Sequence, residues 1–354
     1  MLGRSARIIV GLLLALPTTG ESALAAAEFS FARPAAIEPN IKFWVDVFTS
    51  YSERDFLVHD RDKVWRIYQV MHLPGNGSPA REEIDEIKDY LKAKYTNILK
   101  QLAAGQQPAS LEEQRVAALF KGEPLSAYAL AAQNLRVQEG MREPFRDGIL
   151  RSRYYRPTME RMFQALDLPP ELVTLAEVES GFESRVKSSA GAVGVWQFTR
   201  STGRDYMRIT RYHDDRLNPF TEAEAAARLL RANYDTLGSW PLAITAYNYG
   251  TNGMKEASSE FNGDYEKILH NCGGSHFGFA AKNYYSEFLA ALQVSEYQDQ
   301  YFPDLKYAKA PIPGPFRTDF APARRLYARR HLGARHHYTI HHIRRSRHRH
   351  RHVA

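Results

Sequence analysis

Residues 154–182 read YYRPTMERMFQALDLPPELVTLAEVESGF, and the placement of acids in this stretch decides how the chain around it is understood. The pattern predicts a helix near 157–166, a stop and restart at Pro169 and Pro170, and a second helix from Glu171 onward. On that second helix Leu172, Leu175 and Ala176 define one apolar stripe. Glu179 lies seven, four and three residues from them, so it belongs to the same face. Glu177 falls about 200° round the cylinder from Leu175 and is read as facing solvent. A carboxylate on a buried face is costly unless it is satisfied. Burial would raise the pKa of Glu179 and let it hold a proton near neutral pH, as a general acid must. The competing reading is a structural glutamate satisfied by backbone amides or a buried arginine.

Downstream, SSAGAVGVWQ at 188–197 places Gly191 and Gly194 where the backbone can approach closely, and sets Gln197 among Val195, Trp196 and Phe198. A capping box at Thr221 and Glu224 predicts the start of a helix through EAEAAARLLRANYDTLG. SWPLAITAYNYG follows, with Pro241 near a helix start and Gly250 at its end. It carries Tyr247, Asn248 and Tyr249 side by side. FGFAAKNYYSEFLAALQVS at 277–295 closes the unit. Tyr, Trp, Gln and Asn around one protonated carboxyl suit a neutral polymer rich in hydroxyl and amide groups, such as a glycan.

Upstream, residues 40–72 carry Phe43, Trp44, Val47, Phe48, Tyr51, Val64, Trp65, Ile67, Tyr68 and Met71 at helical spacing, which predicts two helices. A turn follows at 72–79. Residues 81–104 read as an amphipathic helix and 110–139 as a further pair. The fold class expected is all-α. A helical region at 28–153 precedes a catalytic unit at 154–300. Five prolines between 303 and 322 predict an extended surface segment over 301–330. The His- and Arg-rich residues 331–354 predict a disordered tail.

The charge is unevenly placed. Of 47 Lys and Arg, ten Arg lie in 324–354 without a single acid, which leaves 37 bases against 40 acids in the body. Any anionic partner must therefore be sought by the tail, and wall polymer or a membrane surface is expected there rather than nucleic acid. At the other end, Arg4 and Arg7, the apolar run Ile8–Leu16 and the Ala-rich 23–27 predict a signal peptide over 1–27 and export to a Gram-negative periplasm. Nine apolar residues cover about half a bilayer. A lone cysteine, Cys272, excludes an intrachain disulfide and a thiolate zinc site.

Four ordered blocks carry a resemblance: ESGF at 179–182, SSAGAVGVWQF at 188–198, RSTG at 200–203 and AYNYG at 246–250. Together they resemble the SLT-type lytic transglycosylases of bacterial cell walls, in the membrane-bound murein transglycosylase D-like branch of the lysozyme-like superfamily. The resemblance covers about residues 154–295. It implies a lysozyme-like helical domain, cleavage of the MurNAc-β-1,4-GlcNAc bond of peptidoglycan glycan strands with 1,6-anhydromuramoyl ends, and no metal or organic cofactor. It also implies Glu179 as the single catalytic acid and base, with substrate contacts from Ser188, Gln197, Tyr247 and Asn248. Tyr284, in KNYY at 282–285, matches a family tyrosine on the last helix, although Lys282 and Tyr285 stand where the family has Arg and Val. Two alternatives stay open at this level. One is a lysozyme-like muramidase, with a second carboxylate among Asp205, Asp214 and Asp215. The other is an exported peptidoglycan-binding protein without activity.

Overall fold

The computed structural model describes residues 31–273, 277–314 and 316. The expected signal peptide and basic tail lie outside these residues. Among the described residues thirteen α-helices and three short strands form the fold. No helix there is long and apolar enough to cross a membrane.

The chain enters through helix α1 (Glu38–Thr49), which buries Ile41, Phe43, Trp44, Val47 and Phe48. It packs chiefly against the last long helix, Phe279–Glu296. Residues 51–72 do not continue as helix. They form a hairpin of β1 (Asp55–Asp60) and β2 (Ile67–His72). Helices α2 (Arg81–Ala103), α3 (Leu111–Ala118) and α4 (Leu125–Gln133) follow, and β3 (Leu135–Glu139) returns to the sheet. The sheet is antiparallel in the order β2-β1-β3, with Leu57 opposite Val70 and Gln138.

The expected helical pair over 40–72 is thus half correct, its second half being the hairpin, whereas the pair over 110–139 is present as α3 and α4 with β3 after it. The reason lies in β1, which is buried on both faces. Phe56 and Val58 join a cluster with Leu91, Tyr95 and Leu99 of α2. Leu57 points the other way, into the main core, and His59 meets the rings of Phe43 and Phe279. A strand covered on both sides shows no alternation of polar and apolar residues.

The second half is built from α5 (Arg142–Gln164), a 3₁₀ turn at Pro170–Thr174, α6 (Leu175–Ser180), α7 (Arg200–Tyr206), α8 (Pro219–Leu237), α9 (Trp240–Tyr249), α10 (Thr251–Glu260), α11 (Tyr265–Asn271), α12 (Phe279–Glu296) and α13 (Gln298–Tyr301). α5 begins well before the helix expected near 157 and runs through Pro157. Proline there forfeits one helical hydrogen bond. Burial of Phe145, Ile149, Tyr155, Met159 and Phe163 along one stripe holds the helix together regardless. The expected boundary at 153/154 falls inside this helix. α8 also starts early. Its N-cap is Asn218, whose side-chain oxygen accepts from the backbone of Phe220 and Thr221, with Pro219 at the first helical position. The Thr221–Glu224 pair therefore lies within the helix and does not open it. Beyond α13 a 3₁₀ turn spans Pro303–Tyr307, and 308–314 has no regular structure.

Candidate active site

α6 is only six residues long, and its end is closely determined. Gly181 caps it at φ +55°, and its N–H bonds the Glu177 carbonyl at 3.0 Å. A side chain at Gly181 would press on the Arg151 guanidinium, and one at Gly148 would come within 3.1 Å of the Gly181 Cα. These two glycines let α5 meet the end of α6 backbone to backbone. Arg151 Nε donates to the Gly181 carbonyl at 2.7 Å, and Phe182, at φ +57°, turns inward to full burial. Ser180 Oγ donates to the Val195 carbonyl at 2.8 Å, which ties the glycine-rich loop to the helix. The ESGF block is thus a rigid corner.

Glu177 corrects an expectation. It does not face solvent: its side chain is 1 % exposed and forms an ion pair with Arg156 at 2.9 Å. Ser295 Oγ donates to its other oxygen at 2.5 Å, and Arg156 also reaches Thr174 Oγ1 at 3.3 Å. The side of α6 read as solvent is covered by α5 and α12. This pair borders a cavity of about 1080 Å³ lined by Arg153, Arg156, Glu160, Glu171, Leu292 and Gln298 among others, and Glu179 is not among its walls.

Glu179 points to the other side. It is partly buried, and Tyr284 Oη donates to its Oε1. Among the described residues it has no basic partner. Burial pushes its carboxyl up to about 7, while the tyrosine hydrogen bond pulls the other way. Tyr284 keeps its own proton, because burial and the charge of Glu179 raise its hydroxyl well above the ordinary range. The ring of Tyr284 stacks on Tyr247, with centroids 6.4 Å apart and planes at 7°. Tyr247 Oη donates to the Trp196 carbonyl at 2.8 Å. Glu179, Tyr284 and Tyr247, far apart in sequence, are therefore in one contiguous set.

The other expected residues are placed differently. Gln197 sits at φ +50°, uncommon for a residue with a side chain, and its Nε2 donates to the Gly194 carbonyl at 2.8 Å. Gln197, Tyr247 and exposed Asn248 line one cavity of about 600 Å³ together with Thr202, Asp205 and Tyr249. Ser188 is partly buried, and its Oγ accepts from the Ala192 N–H at 3.0 Å, closing the glycine-rich loop on itself. No contact joins it to Glu179.

Of the three aspartates considered as second carboxylates, Asp214 is bound by Arg216 at 2.7 Å and Asp215 by His213 at 2.5 Å. Asp205 is exposed on the wall of the Gln197 cavity. Two further glutamates were not legible beforehand. Glu222 is fully buried and accepts from the Trp196 N–H at 3.4 Å. A side chain at Gly194 would overlap its carboxylate, which explains that glycine. Glu287 stands on α12 one turn after Tyr284, close enough that the charge of Glu179 acts on it. Burial, joined by that charge, pushes its carboxyl up to about 8, against the pull of Arg136. Its spacing from Tyr284 was the available signal.

Comparison with known proteins places this geometry. The Transglycosylase SLT domain family matches residues 161–269. Two relatives, each named Membrane-bound lytic murein transglycosylase D, one from Escherichia coli strain K12 and one from Escherichia coli O6:H1, are 33 % identical over 133 residues. The aligned part is 35 % of this chain and 29 % of each relative, so the chain spans less than a third of their length. The segment that carries Glu179 is thus the part of the chain that is similar to the SLT-type lytic transglycosylases.

Proposed function

We propose that this protein is a peptidoglycan lytic transglycosylase that cleaves the MurNAc-β-1,4-GlcNAc bond and leaves 1,6-anhydromuramoyl ends. The observation that carries the reading is Glu179: a carboxyl that burial pushes up to about 7, held by the Tyr284 hydroxyl, with no ion-paired or hydrogen-bonded second carboxylate beside it among the described residues. Glycosidases that activate water need a second carboxylate as base or nucleophile. Asp214 and Asp215 are bound to basic neighbours, and Glu287 shares the proton-holding environment of Glu179.

One carboxyl is sufficient if the substrate supplies the nucleophile. Glu179 gives its proton to the glycosidic oxygen, the C1–O bond breaks, and the GlcNAc part leaves as an alcohol. The N-acetyl oxygen of the muramoyl residue stabilises the positive charge developing at C1. The Glu179 carboxylate then takes the proton of the C6 hydroxyl, whose oxygen closes on C1. That hydroxyl is tethered to the reacting sugar and so has a large advantage over free water. Tyr284 holds the carboxyl in place throughout. Gln197, Tyr247 and Asn248 hold the glycan, and Ser188 acts through the loop it closes.

The relatives' name, together with the basic start and short apolar run of this chain, supports export to the cell envelope, in the periplasm of a Gram-negative bacterium. The Arg- and His-rich end would add contact with anionic wall polymer or a membrane surface. Digestion of purified sacculi in heavy-oxygen water tests the chemistry. Mass spectrometry is expected to find 1,6-anhydro ends about 18 Da lighter than hydrolysed ones and free of solvent oxygen. Reducing, solvent-labelled ends would make the protein a muramidase and point to Asp205.

A further inference from the structure

The sheet of the N-terminal half lies against the same helix that carries Tyr284, and it brings two arginines there. Arg136, at the start of β3, places its guanidinium 4.0 Å over the ring of Phe279, the first residue of α12. Arg61, in the turn after β1, has its Nη2 3.4 Å from where a side chain on Gly278 would begin. Both residues are exposed overall, although the Arg136 guanidinium is partly covered where it lies over Phe279. Among the described residues neither has a carboxylate within ion-pair distance, although the acids beside them are engaged: Asp60 by the backbone N–H groups of Asp62 and Lys63, and Asp62 by Asn134.

The two guanidinium groups are near enough to oppose each other. Burial first, and then the charge of Arg61, lower the pKa of Arg136, against the pull of Glu287. The field of Arg136 also reaches inward. His59, whose ring meets Phe279, is lowered to about 4 by burial, with Arg136 adding to the effect. Like charges placed together at a surface without acids are unfavourable on their own account and become favourable when an anion is shared between them.

Their position says which anion. Arg136 lies over Phe279, five residues before Tyr284 on α12, and Tyr284 donates to Glu179, so the pair sits along α12 from the bond-breaking carboxyl. A glycan strand held at Glu179 carries, on its muramoyl residues, lactyl-linked peptides with free carboxylates. These project from the sugar next to the scissile bond.

We propose that Arg61 and Arg136 form a carboxylate-binding subsite for the peptide stem, so that the enzyme selects stem-bearing strands over bare glycan. This inference rests on the proposed function. It assigns the N-terminal sheet a role in substrate choice, which nothing in the catalytic segment supplies.

The test compares two substrates, glycan strands carrying stems and the same strands stripped of them by an amidase, with the lactyl carboxyl that this exposes capped as its methylamide. The readout is the ratio of kcat/KM on the two. The unaltered protein is expected to favour stem-bearing strands by about 5- to 10-fold, the scale of one or two charge-assisted hydrogen bonds at a partly exposed site. That preference should shrink as salt is raised. Arg61→Ala with Arg136→Ala should bring the ratio close to one, and Arg61→Lys with Arg136→Lys should restore part of it. Because Arg136 also covers Phe279, thermal melts of each variant separate lost folding from lost selection, and Arg61→Ala alone leaves that stacking intact. A ratio near one in the unaltered protein, or a ratio unmoved by either pair of substitutions, would overturn the subsite. Cleavage of neither substrate by the unaltered protein would instead overturn the proposed function.

Discussion

Glu177 and Glu179 stand two residues apart on a helix of six, and the two sides of that helix treat them oppositely. On one side Glu177 meets Arg156 and Ser295 and is an ion-paired strut between α5, α6 and α12. On the other, Glu179 has the hydroxyl of Tyr284 as its hydrogen-bond partner and no cation in reach among the described residues, and burial pushes its carboxyl up to about 7. The residue type is the same and so is the local backbone. What differs is whether a cation is brought into reach. A buried carboxylate with an arginine is a structural part, whereas one without it is a proton donor.

The sharpest way to break the contrast is to remove the proton donor. Glu179→Gln keeps the size and the acceptor for Tyr284 but cannot transfer a proton. Cleavage of sacculi should fall by about 10²- to 10⁴-fold, with the fold and glycan binding retained. Measuring turnover and melting temperature together checks both halves. A glutamine variant that still cleaved at a tenth of the normal rate would remove Glu179 from the chemistry.

Next in size is Glu177→Gln, which removes the buried counter-charge of Arg156 and leaves it only the more exposed Glu160 at 3.5 Å. Stability is expected to drop by about 2 to 4 kcal/mol, a little below the usual cost of breaking a buried pair because Arg156 keeps some contact with water. Denaturant melts read this directly. The activity of the folded fraction should stay near normal. Loss of turnover without loss of stability would show that the two sides of α6 are not separate.

The smallest change sharpens the comparison without breaking it. Tyr284→Phe removes the hydrogen bond that lowers the pKa of Glu179. A general acid works while protonated, so cleavage should decline as pH rises through about 7, and without the tyrosine that decline should move to higher pH. The rate at the optimum should change by less than about 10-fold, the value of one neutral hydrogen bond. A pH profile of kcat/KM measures the displacement. Movement to lower pH would mean that Tyr284 stabilises the protonated form instead.

The mistaken reading of Glu177 has a specific origin. Angular arithmetic on 171–182 assumed one regular helix with a wet side. The chain has a 3₁₀ turn at Pro170–Thr174 and then α6, and the supposed wet side is roofed by α5 and α12. The hairpin at 55–72 was missed for a related reason, since β1 is buried on both faces and displays no alternation. Glu287 went unnoticed because its one local signal, a place one turn after Tyr284, does not say that it faces a second carboxyl. Only the packing of α12 against α6 does that.

The sequence by itself indicated the helical character of the molecule and marked Glu179 as a carboxyl sharing a stripe with Leu172, Leu175 and Ala176. Each of these follows from spacing within a dozen residues, where backbone geometry alone decides which side chains share a face. The tertiary structure decided the rest: that Tyr284 reaches Glu179 across 105 residues, that Arg156 reaches Glu177, and that Arg61 and Arg136 arrive unpaired beside α12. Whether a buried carboxyl keeps its proton depends on the charges and donors that distant segments bring within a few ångströms, and periodicity along the chain carries no record of that.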